Sequence, residues 1–117
     1  MEALRPPSAS AQREGLGVRD QGNNVVESYR DLKVWQKAMD LAEMIFSLTS
    51  KLPREQIYGM SAQMQRTANS VPSNIAEGHA RAFTKEYLYH ISVSLGSIAE
   101  LETRLMLCGR VKFLSEN

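Results

Sequence analysis

The chain has 117 residues, of which 43% are hydrophobic, with 14 Lys and Arg against 13 Asp and Glu. This length allows one small domain and excludes two, the composition excludes a wholly disordered or collagen-like chain, and the near-zero net charge identifies no partner. Because the single cysteine, Cys108, cannot form an internal disulfide and no apolar run reaches membrane-spanning length, we expect a reduced, cytoplasmic protein with no membrane partner.

Residues 1–27 differ in composition from the rest of the chain. They hold three of the seven Gly and two of the four Pro, and they contain no aromatic residue. Such a segment cannot bury enough apolar surface to offset the entropy lost on ordering. We therefore predict a flexible tail over 1–27, or a start codon placed ahead of the true one, and a helical domain over 28–117.

Three segments carry apolar residues at the three- and four-residue spacing of amphipathic helices, which predicts helices over about 31–52, 55–80 and 85–109. In the first segment the apolar residues fill an arc of about 140°, wide enough to contact two neighbours. Trp35 and Ile45 are predicted core positions on this helix. Since no strand alternation competes, the sequence predicts an all-α fold.

Capping and helix-breaking residues mark the ends of these segments. The predicted amino caps are Asp31, or Ser28 paired with Asp31, for the first helix and Thr84 for the third. The predicted stops are Pro53, Gly78 and Gly109. Pro72 lies inside the second pattern, where its missing N–H and its ring predict a kink or break between residues 70 and 73. Gly96 either allows another backbone to approach closely or simply lowers helix stability.

Three ordered motifs go beyond helical periodicity: YRDLKVWQKA over residues 29–38, SVPSNIAEG over 70–78 and LGSIAELET over 95–103. Together they resemble the family of proteins encoded in intervening sequences of 23S ribosomal RNA genes, a relative of which is the accessory variability determinant of diversity-generating retroelements. The resemblance covers about residues 29–115. The positions that carry it are Asp31, Leu32, Val34, Trp35, Pro72, Asn74, Ile75, Ala76, Glu77, Gly78, Glu100, Leu101 and Glu102.

The resemblance implies an up-and-down bundle of four-helix-bundle type that assembles as a homopentamer and has no catalytic activity. For the retroelement relative, the implied partners are a reverse transcriptase and nucleic acid bound through a basic surface. Family members continue into a fourth helix, whereas this chain stops at Asn117. We therefore expect a truncated product with three long antiparallel helices, whose exposed apolar stripe favours self-association or low stability.

The residues offer little that could carry catalysis. The sequence has no Gly-rich phosphate loop, no nucleophile elbow and no paired cysteines. Glu86 and His90 lie four residues apart, so they could share a metal-ligand face or form a solvated helix contact. Cys108 is predicted to be a small core residue. We predict no enzyme activity, no cofactor and no metal.

Basic residues are the remaining candidates for a binding site. Six of them could be gathered into a ring by five-fold repetition, and multiple phosphate contacts would then make RNA binding steeply salt-dependent. The six are Arg66, Arg81, Lys85, Arg104, Arg110 and Lys112. The alternative is a solvated face of mixed charge. The predicted function is an oligomeric scaffold or adaptor with an RNA or ribonucleoprotein role; the alternatives are a retroelement accessory subunit that binds a reverse transcriptase, or a truncated product without function.

Overall fold

The computed structural model describes residues 26–114, which form three α-helices: α1 (Lys33–Thr49), α2 (Met60–Ala80) and α3 (Thr84–Arg110). Short 3₁₀-helical turns, Tyr29–Asp31 and Arg54–Gln56, precede α1 and α2. No strand occurs within the described range. The all-α class predicted from the periodicity is therefore confirmed, and the arrangement is compatible with a bundle.

The central helix of the fold is α2, which packs against both α1 and α3, while few contacts join α1 directly to α3. The core draws residues from all three helices, and its fully or nearly fully buried members include Ile45, Met64, Ala68, Val71, Ile75, Leu101 and Cys108. Ile45 is thus a core residue, as predicted. Trp35 is only partly buried, and its ring packs edge-on against Tyr29 with the ring centroids 5.2 Å apart.

The start of the fold lies earlier than the composition indicates. Val26 is buried to 1% exposure, and the backbone N–H of Glu27 donates to the Asp31 carboxylate at 3.0 Å. The predicted tail boundary is therefore wrong for these two residues. The rest of the predicted tail, residues 1–25, lies outside the described residues, as do residues 115–117.

The predicted pairing of Ser28 with Asp31 forms, but on the turn before α1 rather than on α1 itself. The Ser28 hydroxyl accepts from the Arg30 N–H at 3.2 Å, and the Asp31 carboxylate accepts from the Ser28 N–H at 3.2 Å. The helix α1 then begins at Lys33 and ends at Thr49, three residues before the predicted end. Leu52, beyond that end, is buried in the core.

The predicted break in the second helix does not occur, because α2 continues through Pro72 to Ala80. Val71 and Ile75, on either side of the proline, are almost fully buried. Packing of these side chains outweighs the loss of one backbone donor, which shows how tertiary contacts override local propensity. Residues 54–56 form a 3₁₀-helical turn, so α2 begins at Met60, later than predicted.

Two predicted end signals have other roles. Gly78 does not stop α2; it is buried inside the helix, where an added Cβ would lie 2.6 Å from the His90 Cβ. Its absent side chain allows α3 to approach. Thr84 is not a cap but the first residue of α3, and the capping residue Phe83 makes no side-chain hydrogen bond there.

The carboxyl end of α3 is closed by a Schellman turn. The N–H of Lys112 donates to the Gly109 carbonyl at 3.2 Å, and that of Phe113 donates to the Cys108 carbonyl at 2.9 Å. The residue in the left-handed conformation is Lys112, with φ of 63°. The predicted stop at Gly109 is therefore one residue early, and the position that favours glycine holds a lysine.

Candidate functional site

An apolar groove lies between α1 and α3, with α2 as its floor. It contains about 180 Å³ of space and is lined by Val34, Lys37, Ala38, Leu41, Val71, Ile75, Ile91, Ser94, Leu95 and Ile98. Ligand pockets for small molecules usually hold about 300–1,000 Å³. The groove is smaller than these, so it suits a packed helix or another protein surface better than a small ligand.

The helix α3 presents an apolar face toward this groove in addition to its buried face. Leu88, Ile91, Leu95 and Ile98 fall within an arc of about 80° at 100° per residue. Leu88 and Leu95 are each 62% exposed. On α1, Val34 at 50% exposure flanks the same groove. Exposed large apolar side chains arranged side by side are typical of an interaction surface.

A polar seam between α2 and α3 fixes which face of α3 meets the groove. The Ser94 hydroxyl donates to the Val71 carbonyl at 2.9 Å, and the hydroxyls of Ser70 and Ser97 lie 2.6 Å apart. Because Ser94 is buried, turning α3 away would leave its hydroxyl without this partner, at a cost of about 1–3 kcal/mol.

Glu86 and His90, the pair considered for metal binding, have separate partners. His90 Nδ1 lies 3.0 Å from Asn74 Oδ1, while the Glu86 carboxylate lies 3.9 Å from Arg81 Nε. In the part of the chain that the structure describes, no three His, Cys, Asp or Glu side chains are close enough together to hold a metal ion. The two side chains therefore contact different residues, Asn74 and Arg81, rather than each other.

The six predicted nucleic-acid contacts do not form one patch on a single protomer. Arg81 and Lys85 lie at the α2–α3 turn, whereas Arg110 and Lys112 lie at the far end of α3. Lys85 and Arg110 are separated by about 37 Å along the helix axis at the standard rise per residue. The ring that five-fold repetition would form therefore stays a prediction.

Two of the six are already paired with carboxylates. Arg81 contacts Glu77 at 2.8 Å, in addition to the longer contact with Glu86. Arg104 contacts Glu100 at 2.6 Å. These neighbours neutralise the two guanidinium groups locally, which makes both poorer candidates for phosphate binding than the unpaired cations elsewhere.

Sequence reasoning missed a group of residues at the α1–α2 turn. Lys51 and Arg54 are exposed there, and Tyr58 is 95% exposed. The antiparallel arrangement places this turn at the same end of the molecule as Arg110 and Lys112. The topology could have identified this group. In an up-and-down bundle the α1–α2 turn lies at the same end as the carboxyl end of α3, so cations at these two places lie close together.

Most motif positions have structural roles in this fold. Asp31 accepts the hydrogen bonds of the first turn, Asn74 donates to the Ser70 carbonyl at 2.8 Å, and Leu101 is buried. Glu77 and Glu100 each pair with the arginine four residues later. The motifs therefore account for helix ends and helix packing, and they identify no reactive centre.

Cys108 is fully buried, with its Sγ 3.9 Å from Met64 Sδ. Desolvation by burial raises the pKa of this thiol. A protonated, inaccessible thiol is a weak nucleophile, so the predicted core role fits the structure.

A protein-family model described as 23S rRNA-intervening sequence protein matches residues 30–117. No match was found among curated proteins. Within residues 26–114, no helix has both the length and the apolar character needed to cross a membrane.

Proposed function

This chain belongs to the 23S rRNA-intervening sequence protein family, and from that premise we propose that it is a non-enzymatic scaffold that self-associates through the apolar groove between α1 and α3 and binds RNA. The observation on which this depends is the exposed apolar face of α3, centred on Leu95. A homopentamer is the assembly implied by the sequence resemblance, and it is the stoichiometry we propose.

The energetics support association through this face. Fully burying one leucine side chain contributes about 1.5–3 kcal/mol, and Leu88 and Leu95 are both more than half exposed. An assembly that repeats the groove around a closed ring buries such residues once per protomer. The broad apolar arc of α1 supports the same arrangement, because Val34 and Leu41 extend it beyond the contact with α2.

The test compares two leucines on the same helix. Leu95 lines the groove, while Leu107 is 45% exposed and points about 120° away from Leu95 around α3. Light scattering coupled to size-exclusion chromatography should give an oligomeric mass for the unmodified chain and for Leu107→Glu. Leu95→Glu should give a monomeric mass. A cooperatively folded monomer for the unmodified chain would contradict the proposal, as would equal loss of assembly in both variants.

The RNA partner is supported by cations that form no ion pair among the described residues. Lys51, Arg54, Arg110 and Lys112 are exposed and take part in none of the ion pairs of the described residues. Phosphate groups bind such cations with release of counterions. A reverse-transcriptase gene beside the coding sequence would instead favour the alternative of a retroelement accessory subunit, for which co-purification with that enzyme is the test.

A further inference from the structure

We propose that one end of the molecule binds single-stranded RNA. This surface, called the basic end, consists of Lys51, Arg54, Tyr58, Arg110 and Lys112. The inference rests on the proposed RNA role but not on the proposed assembly, since every residue of the basic end belongs to one protomer.

Contacts inside the fold bring the three segments of the basic end together. The Ser61 hydroxyl donates to the Thr49 carbonyl at 3.5 Å, which joins the end of α1 to the start of α2. The sulfur contact between Met64 and Cys108 joins the start of α2 to the end of α3. Both lie at the end of the bundle where the α1–α2 turn and the Schellman turn are found.

The described segments at this end carry more positive than negative charge. Within the described segments 49–62 and 108–114, four cations face one carboxylate, that of Glu55. At the opposite end, segments 27–33 and 77–86 hold four cations and four carboxylates. Among the described residues, one end of the bundle is therefore positive and the other is balanced, although the formal net charge of the whole chain is only +1. A polyanion would be attracted to the positive end.

A polar pocket lies at the basic end beside these cations. It contains about 320 Å³ of space and is lined by Thr49, Ser50, Leu52, Arg54, Ile57, Ser61 and Gln65. Its volume falls at the lower end of the range for ligand pockets, about 300–1,000 Å³. The hydroxyls of Thr49, Ser50 and Ser61 and the amide of Gln65 already donate within the fold. Their oxygen atoms can still accept hydrogen bonds and the Arg54 guanidinium can donate, which suits the edge of a base or a ribose next to its phosphate.

Tyr58 supplies the surface for base stacking. It follows the pocket residue Ile57 directly, and 95% of it is exposed to solvent. A fully exposed aromatic ring gains little from water, whereas stacking of an unpaired base on such a ring contributes about 1–3 kcal/mol. Bases in a duplex are already stacked and unavailable. The combination of ring, pocket and cations therefore selects single strands.

The backbone at Lys112 supports a binding role for its charge. This residue adopts the left-handed conformation, where glycine avoids a steric cost that other residues bear. A lysine here gives up that stability and places a cation at the basic end. Strain of this kind is often retained where a side chain serves a ligand.

The test is fluorescence anisotropy with a labelled single-stranded RNA of mixed sequence and with the duplex of the same sequence, at low and moderate salt. The full chain should bind the single strand more tightly, with affinity falling steeply as salt rises. Tyr58→Ala should weaken single-strand binding by about 5- to 150-fold, which is the stacking energy converted at about 1.4 kcal/mol per tenfold. Tyr58→Phe, which keeps the ring, should bind within about twofold of the unmodified chain.

Charge variants provide the matched control. The double variant Lys51→Ala with Arg54→Ala should weaken binding by tenfold or more and should reduce the salt dependence by about two phosphate contacts. The same double change at the balanced end, Arg30→Ala with Lys33→Ala, should alter binding by less than twofold. All four residues are exposed, so folding should be unaffected, and circular dichroism verifies this.

Three results would overturn the inference: no binding of either RNA, equal losses in the two double variants, or equal affinity for duplex and single strand. Binding to vesicles of anionic phospholipid without binding to RNA would overturn it in favour of a membrane surface. Light scattering on the same variants separates this inference from the proposed assembly. If a variant loses RNA binding but keeps its oligomeric mass, the proposed assembly is retained. If the chain is monomeric but still binds RNA, the proposed binding at the basic end is retained.

Discussion

Substituting alanine at two glycines should change stability in opposite directions. An added Cβ at Gly78 would lie 2.6 Å from the His90 Cβ and 3.2 Å from the Tyr87 Cδ1, whereas one at Gly96 would meet no atom of the described residues within 4 Å. Carbon atoms pack at about 3.5–4.0 Å, so α2 and α3 would have to separate by roughly 1 Å. The obstructing His90 atom is a Cβ, which no rotamer change can move aside.

The magnitudes follow from two opposing effects. Over-packing costs about 1–3 kcal/mol. We expect a destabilisation near the upper value here, because the His90 Cβ is attached directly to the backbone and cannot move aside. Alanine in place of glycine inside a helix returns about 1 kcal/mol. Gly78→Ala should therefore lower the free energy of unfolding by about 2 kcal/mol, while Gly96→Ala should raise it by about 0.5–1 kcal/mol.

Urea denaturation followed by circular dichroism measures both values, at one fixed protein concentration because association also affects stability. Separation of the helices in Gly78→Ala should also weaken the contact between Asn74 and His90. If Gly78→Ala proved as stable as Gly96→Ala, the close approach of α2 and α3 at this position would be refuted.

Three further changes test the core, the Schellman turn and the thiol. Ile45→Ala should cost about 2–5 kcal/mol, and a loss below about 0.5 kcal/mol would mean that α1 is not packed as described. Lys112→Gly should raise thermal stability by about 1 kcal/mol by relieving the left-handed conformation, so a lower midpoint would contradict that conformation. A thiol reagent at pH 8 should modify Cys108 only after unfolding. Because burial raises its pKa, the stability that the neutral thiol provides is complete below the pKa of the unfolded thiol, about 8.5, and should decline as pH rises toward the folded pKa.

The helices and the core could be predicted from the sequence because their signals are local and repeated. The spacing of apolar residues predicts three helices, and the described residues form three α-helices. Ile45 and Cys108 are buried as their positions in the pattern indicate. The pairing of Ser28 with Asp31 was also readable, since both partners lie within one turn. Only its element was misassigned, because a 3₁₀-helical turn and the first turn of a helix carry the same capping signal.

The meaning of the glycines could not be read locally. Glycine favours both a helix stop and a close helix contact, and the two interpretations differ only in what stands opposite. For Gly78 the deciding neighbour is His90 on another helix, and for Gly96 no neighbour is present. The left-handed residue that ends α3 is instead Lys112. A lysine does not indicate a left-handed conformation in the sequence.

The candidate site was predicted less well than the fold, for a related reason. Basic residues were chosen from the sequence without knowing which carboxylates stand beside them. Arg81 and Arg104 turn out to be paired, while Lys51 and Arg54 are not. Which cations form one surface depends on the topology, because the topology determines which helix ends lie together.

The apolar groove and the basic end should act independently within one protomer, and their coupling should appear only through assembly. Leu95 and Arg110 are about 22 Å apart along α3 at the standard rise, while charges in 0.15 M salt are screened over about 8 Å. The added carboxylate of Leu95→Glu therefore cannot weaken RNA binding directly. If that variant binds RNA more weakly, the loss measures avidity, because an oligomer holds several basic ends on one strand. Adding Lys51→Ala and Arg54→Ala to Leu95→Glu then separates the direct contacts of the basic end from the avidity of the oligomer. The two charge substitutions should weaken binding in the monomer as well as in the oligomer.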